Sequence, residues 1–150
     1  MPNKKMEPIL TEILKENQKI IRHLRIGFTR LIILWKISKG PTYGYDLMKT
    51  IDEFFKLEIE YGLIKKANSS KIYPILKTFE ESGVIVGEWE IKNDKRIKVY
   101  NITEKGELAL KTLKENVNDM TNGDEWEEFL NDEFNEKILT MKKIKSKKHS

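Results

Sequence analysis

Cysteine is absent from this 150-residue chain. That excludes disulfides, zinc–thiolate sites and thiol nucleophiles, and it fits a reducing compartment, so a cytoplasmic location is expected. Histidine is scarce: His23 sits among Ile20, Ile21, Arg22 and Leu24, and His149 is next to the last residue. Neither has an H-x-x-H or H-E-x-x-H neighbour, so no metal site and no cofactor are expected. Long apolar runs are missing too. The most apolar, Leu31 to Trp35, is flanked by Arg30 and Lys36 and is far too short to cross a bilayer. Met1 to Met6 carry basic residues with no apolar stretch behind them, so no signal peptide is read. No G-x-G-x-x-G, P-loop or G-x-S-x-G motif occurs. The acid pairs Glu80-Glu81 and Glu127-Glu128 would diverge as neighbours on helices. With no nucleophile–base or metal set in view, an enzyme is not expected.

Charge is abundant. Asp, Glu, Lys and Arg make up 35% of the chain, above the usual quarter, with a formal net charge of +4. The signs are segregated. Residues 65–77 carry Lys65, Lys66, Lys71 and Lys77 and no acid, whereas residues 121–136 carry acids and no base, and residues 137–148 carry lysines and no acid. A local basic face is what attracts a polyanion, whatever the overall sum. The acidic run followed by the lysine run also suits a single helix, because acids near the N-terminus and cations near the C-terminus complement its dipole.

Periodicity places the elements. Pro8 suits a first helical turn, and Ile9, Leu10, Ile13, Leu14, Ile21 and Leu24 follow at helical spacing. Phe28, Leu31, Ile32 and Trp35 repeat that spacing after Gly27, which is placed to bend or break the helix. Gly40-Pro41 ends it. Thr42 is expected to cap a third helix with Leu47, Met48, Ile51, Phe54 and Phe55 as its apolar stripe. After a looser stretch, Asn68, Ser69 and Ser70 can cap a fourth helix, and Gly83 can end it in a left-handed conformation. Ile72, Ile75, Leu76 and Phe79 form its buried side. The period then changes to alternation over Val84–Ile91 and Ile97–Ile102, a hairpin with a polar turn over Lys92–Arg96. Thr103 caps a further helix with Leu110, Leu113 and Val117, and a last helix is expected from Asp124, carrying Trp126, Phe129, Leu130, Ile138, Met141 and Ile144.

Helices followed by a β-hairpin are the order of a winged helix-turn-helix, in which one helix enters the DNA major groove and the hairpin reaches neighbouring phosphates or the minor groove. The helix over 69–82 would present Ser70, Lys71, Tyr73, Lys77 and Thr78 to solvent, and the hairpin adds Lys92, Lys95, Arg96 and Lys98. These side chains suit phosphates and base edges. A lysine-rich helix face alone is ordinarily a solvated face. The basic hairpin beside it carries the DNA reading, since solubility does not require both elements to be basic.

Three segments carry a resemblance. Gly40-Pro41-Thr42-Tyr43-Gly44-Tyr45-Asp46-Leu47 is similar to the Gly-Pro-x-His/Tyr-Gly-Tyr-x-Leu segment of the PadR family of transcriptional regulators. Ile72-Tyr73-Pro74-Ile75-Leu76-Lys77, continued by Phe79-Glu80-Glu81-Ser82-Gly83-Val84-Ile85, resembles its Leu-Tyr-Pro-x-Leu-x-x-Leu-Glu-x-x-Gly-Leu-Ile. Val99-Tyr100-Asn101-Ile102-Thr103-Glu104-Lys105-Gly106 resembles its Tyr-Tyr-x-Leu-Thr-x-x-Gly. The resemblance covers about residues 28–110. It implies a winged-helix domain joined to C-terminal helices that mediate dimerisation, and members that are typically repressors, some released by a small-molecule effector. It carries DNA contact onto Tyr43, Tyr73 and the adjacent Lys71 and Lys77, and leaves Tyr45 to the core. The chain departs from the family at the hairpin tip, where Asn93-Asp94-Lys95-Arg96 stands in place of Gly-Gly-Arg. It departs again in its first 24 residues, which extend beyond the usual start, and at Asn122-Gly123, which breaks the C-terminal region.

The expected fold is mainly α with a small β-hairpin (α+β). An N-terminal helical extension over 1–24 precedes a winged helix-turn-helix over 25–106 and a helical dimerisation region with a lysine-rich tail over 107–150. The expected DNA-contacting set is Tyr43, Ser69, Ser70, Lys71, Tyr73, Lys77, Lys92, Lys95, Arg96 and Lys98. The expected function is a homodimeric, sequence-specific regulator of double-stranded DNA, with a protein-binding winged helix as the alternative. Trp35 is read as core, and Trp126 as dimer packing or a lone hydrophobic anchor. Nothing in the sequence identifies an effector.

Overall fold

A computed structural model describes residues 7–134. Helix α1 runs without interruption from Glu7 to Ser38, so of the bend or break expected at Gly27 the break does not occur. A single glycine costs a helix about 1 kcal/mol, and the turns after it are anchored by Ile32, Ile33, Leu34 and Ile37, all buried. Gly40, with φ 155°, then turns the chain.

Thr42 does not cap a helix. Thr42–Tyr43 form strand β1, and helix α2 (Gly44–Phe54) starts behind an extended Tyr43 with no side-chain cap bond. Short helix α3 (Lys56–Glu60) follows, and the Ala67 amide donates to Asp52 Oδ1 at 2.7 Å, tying the next loop back to α2. Helix α4 (Ser69–Glu81) opens as expected: Asn68 Oδ1 accepts from the Lys71 amide at 3.1 Å. Pro74 lies inside α4, and its carbonyl accepts from Thr78 Oγ1. Gly83, at φ 78°, ends the helix in the left-handed region that suits glycine.

Strands β2 (Ile85–Lys92) and β3 (Lys95–Ile102) pair antiparallel, and β1 adds to the other edge of β3 through Thr42↔Tyr100 and Tyr43↔Val99. The turn is tighter than the expected five residues. Only Asn93 (φ 53°) and Asp94 (φ 60°) remain outside the ladder, both left-handed, which is the two-residue turn whose twist matches a hairpin. At the far end Thr103 Oγ1 donates to the Gly83 carbonyl at 2.6 Å and accepts from the Gly106 amide at 3.1 Å. It caps helix α5 (Glu104–Met120) and fastens it to the end of α4 in one step. Helix α6 spans Asp124–Glu133. Ile138, Met141, Ile144 and the lysine-rich tail lie outside the described residues.

The core joins Ile33 and Ile37 of α1, Leu47 and Ile51 of α2, Ile72 and Leu76 of α4, and Ile85 and Tyr100 of the sheet. This is the expected α+β winged helix, with β1 as a third strand. The chain divides into two compact units between Leu110 and Lys111, inside α5. Two aromatics read as core are outside it. Trp35 is 41% exposed and rests edge-on against Phe54, and Tyr45 is 59% exposed under Lys49. Tyr45 stands two residues from buried Leu47, about 200° around the helix, so only one of the pair can face inward. Among the described residues no helix is long and apolar enough to cross a membrane.

The α5 joint gives a sharp test. A Cβ on Gly106 would sit 2.1 Å from the Val84 carbonyl oxygen, a backbone atom that cannot swing aside. Gly106→Ala is expected to destabilise the protein by about 3 kcal/mol, measured by urea unfolding.

Candidate nucleic-acid interface

With Ile72, Ile75 and Leu76 turned inward, α4 presents its other side outward. At 100° per residue the middle of that side is Ser70, Pro74 and Lys77, with Tyr73 on one flank and Lys71 about 160° away from it on the other. Ser69, Ser70, Lys71, Tyr73 and Lys77 are all exposed. The hydroxyls are already engaged: Ser70 Oγ donates to Asn68 Oδ1 at 2.6 Å and Thr78 Oγ1 to the Pro74 carbonyl at 2.9 Å. Each keeps acceptor capacity for an outside donor. Pro74, at the centre of the exposed side, was not among the expected contacts.

Tyr73 is less a free contact than a strut. A Cβ on Gly44 would lie 2.6 Å from the Tyr73 hydroxyl, so the absence of a side chain at Gly44 lets the phenol lie against the start of α2. This fixes α4 relative to α2 and β1. Tyr43, at the N-cap of α2, is half-buried with Lys92 Nζ 5.7 Å from its ring centre.

The register sorts the wing cations. Directly opposed residues share a face. Trp89↔Lys98 and Ile91↔Arg96 therefore lie on one face, and Lys92↔Lys95 on the other. The four cations grouped at the hairpin in the sequence are thus split in two pairs. On the first face Arg96 stacks over Trp89 at 4.5 Å, and Lys98 stands 5.8 Å from the Trp89 ring and 5.6 Å from that of Tyr100. Such contacts orient a cation without neutralising it. Lys98 is also held by Glu80 of α4 at 2.8 Å.

Between α4, the start of α2 and the wing lies an open groove of about 620 Å³, lined by Tyr73, Lys77, Glu80, Trp89, Arg96 and Lys98 among others. Of the expected residues, Tyr43, Tyr73, Lys77, Arg96 and Lys98 line it; Ser69, Ser70, Lys71, Lys92 and Lys95 do not. Trp89, Glu80 and Tyr100 were missed as site residues. The alternation Trp89, then Lys98 and Tyr100 across a hairpin could have signalled the first and third, but nothing local pairs Glu80 with Lys98.

Tyr100 sits at the base of this arrangement, almost fully buried. Burial pushes its phenol up from 10.0 to about 12, and the charges of Glu80 and then Tyr73 add to the effect. A raised phenol favours the neutral form in the folded state. The stability it lends is therefore complete below pH 10 and lost as pH rises towards 12. Absorbance titration of tyrosinate should show one group ionising near pH 12 together with unfolding, and Tyr100→Phe should remove that last step.

The profile of the transcriptional regulator PadR-like family matches residues 33–112. A search of curated proteins found no match. Among solved structures, a PadR family transcriptional regulator from Eggerthella lenta is 23% identical, with TM-score 0.54, over 71% of this chain and 86% of that one. A PadR-like transcription factor from Bacteroides fragilis is 22% identical, with TM-score 0.50, over 69% and 92%. The Bacillus subtilis PadR, solved in complex with operator DNA, is 32% identical, with TM-score 0.43, over 56% of this chain and 45% of that one. With more than half of its length matched by the family profile and the three motif segments folded into one winged helix, the chain belongs to the PadR-like family of transcriptional regulators.

Proposed function

We propose that this chain is a cytoplasmic, homodimeric repressor that binds double-stranded DNA at a pseudo-palindromic operator. In this reading residues 25–106 hold the DNA, residues 107–150 carry the dimer contact, and residues 1–24 are an extension. The observation that carries it is the outward side of α4, where Ser70 and Lys77 flank an exposed Pro74, beside a wing whose Arg96 is held over an aromatic ring. Lys77, Ser70 and Lys71 meet the major groove, with Lys71 at its phosphate wall. Arg96 and Lys98 lie towards the minor groove, and Lys92, Lys95 and Tyr43 towards the flanking backbone. Ser69 offers its backbone amide at the start of α4, where a phosphate is favoured.

A two-fold dimer reads two half-sites about 34 Å apart, or a multiple of that distance. An effector fits this scheme as a ligand that binds one arrangement of the two protomers more tightly than another and thereby sets DNA affinity.

The test is selection from a random duplex library at two salt concentrations, followed by sequencing. Enrichment of an inverted repeat, with a log–log salt slope of about −0.9 per phosphate contacted, is expected. Retention without enrichment, or no retention at low salt, would remove the sequence-specific reading. Two variants divide the roles. Lys71→Ala should weaken all duplexes alike and flatten the salt slope by about 0.9. Lys77→Ala should cost about 1–3 kcal/mol on the selected site and relax its sequence preference.

A further inference from the structure

Three lysines meet where α1 hands over to α2, away from the groove between α4 and the wing. Lys36 lies in the last turn of α1, Lys39 just past its end and Lys49 in the second turn of α2. With Thr42 and Asp46 they line a pocket of about 400 Å³. That volume is within the range of small-ligand sites, but the lining is polar where such sites are ordinarily apolar.

The cations have no counter-ion. Among the described residues the one ion pair joins Lys98 to Glu80, so Asp46, although it lines the pocket, pairs with none of the three lysines. Two of them are held by rings instead. Lys39 Nζ lies 5.6 Å from the ring centre of Trp35, and Lys49 Nζ 4.6 Å from that of Tyr45. A ring directs a cation and leaves its charge available. The dipole of α1 favours cations at its end and accounts for Lys36 and Lys39. It does not account for Lys49, which comes from another helix.

Thr42 points to a ligand independently. It is 5% exposed, and its hydroxyl has no hydrogen-bond partner among the described residues. The hydroxyl is not sealed in the core. Gln18 Nε2 is the only fully buried side-chain polar atom without a partner among the described residues, so the Thr42 oxygen keeps some surface, and Thr42 borders this pocket. A nearly buried hydroxyl without a partner is a cost that a ligand oxygen removes. Close by, α2 starts behind Tyr43 with no side-chain cap, so its first amides are left without acceptors. Ammonium groups, a free hydroxyl and helix amides are all donors, and an anion rich in acceptor oxygens satisfies them together. Lysines from two helices are better bridged by linked phosphates than by one carboxylate, because the phosphates bring more charge and more oxygens.

We infer that this pocket binds a small molecule through its di- or polyphosphate group, with Lys36, Lys39 and Lys49 as counter-ions and Thr42 as a hydrogen-bond donor. The site depends neither on DNA binding nor on the dimer of the proposed function. Lys49 leans on Tyr45, which lines the groove beside α4, so the ligand sits one side chain away from the candidate DNA interface.

The probe is pyrophosphate, titrated by calorimetry into the full chain without DNA. Saturable binding of one pyrophosphate per chain is expected. Lys36→Ala and Lys49→Ala should each weaken it about tenfold. Thr42→Val should also weaken it, and Thr42→Ser, which keeps the hydroxyl, should restore it. Lys65→Ala, exposed and outside the pocket, should leave it unchanged. No saturable binding would overturn the inference. Equal weakening by Lys65→Ala would overturn it too, because diffuse charge alone would then hold the anion. A duplex titration separates a free ligand from the DNA backbone: Lys36→Ala is expected to leave its log–log salt slope unchanged. A slope flatter by about 0.9, with no pyrophosphate bound, would give the pocket to backbone phosphates and overturn the free ligand. If no duplex binds at all, the pyrophosphate titration still decides, so failure of the DNA reading and failure of this site are told apart.

Discussion

The burial of Ile72, Ile75 and Leu76 is the constraint from which the rest follows. A helix has one circumference, and once these three are inside, Ser70, Pro74 and Lys77 have no choice but to face out. The same burial places Tyr73 against Gly44 and brings Glu80 to the wing. The Lys77-bearing outer surface and the core are thus two sides of one thirteen-residue helix. A side chain that loosened the inner side would move every contact on the outer one.

The electrostatics of the interface are local. The groove is not a bare basic patch: Lys98 is paired with Glu80, Arg96 lies on Trp89 and Lys92 is near Tyr43. Rings hold long cations in defined directions while leaving their charge available to phosphate, which lowers the ordering that binding would otherwise require. Glu80 works differently. Its carboxylate spends part of the wing's charge to hold β3 against α4, and it adds to the rise that burial gives the phenol of Tyr100 beneath. The wing is therefore coupled to the core through one acid and one buried tyrosine.

Helix α1 carries two stripes along its length. Its last turns supply Ile33 and Ile37 to the core, and its outer side carries the separate apolar spacing of Leu24, Phe28 and Leu31. Because 3.6 residues per turn and a seven-residue repeat are nearly commensurate, one straight helix can hold both stripes. Gly27 does not interrupt it because the turns on either side propagate through a single poor helix former.

Much of the fold was legible in the residues. The Asn68 cap, the glycine stop at Gly83, the Thr103 cap and the alternating hairpin are decided within four or five residues of chain, and the sequence by itself determined them. Three motif segments also named the family. What only the tertiary structure decided involves partners far apart in the chain. Thr42 and Tyr43 form a strand because β3, some fifty-seven residues on, offers them an unpaired edge. Tyr45 and Trp35 lie outside because other side chains had taken the inward positions. The wing cations part into two faces because the two-residue turn sets the register, and a shift by one residue would reverse every side chain. Glu80 meets Lys98 only after α4 and β3 have packed. Caps and periods are local interactions and can be read in order; strand pairing, register and salt bridges across elements depend on the three-dimensional path that the local elements leave open.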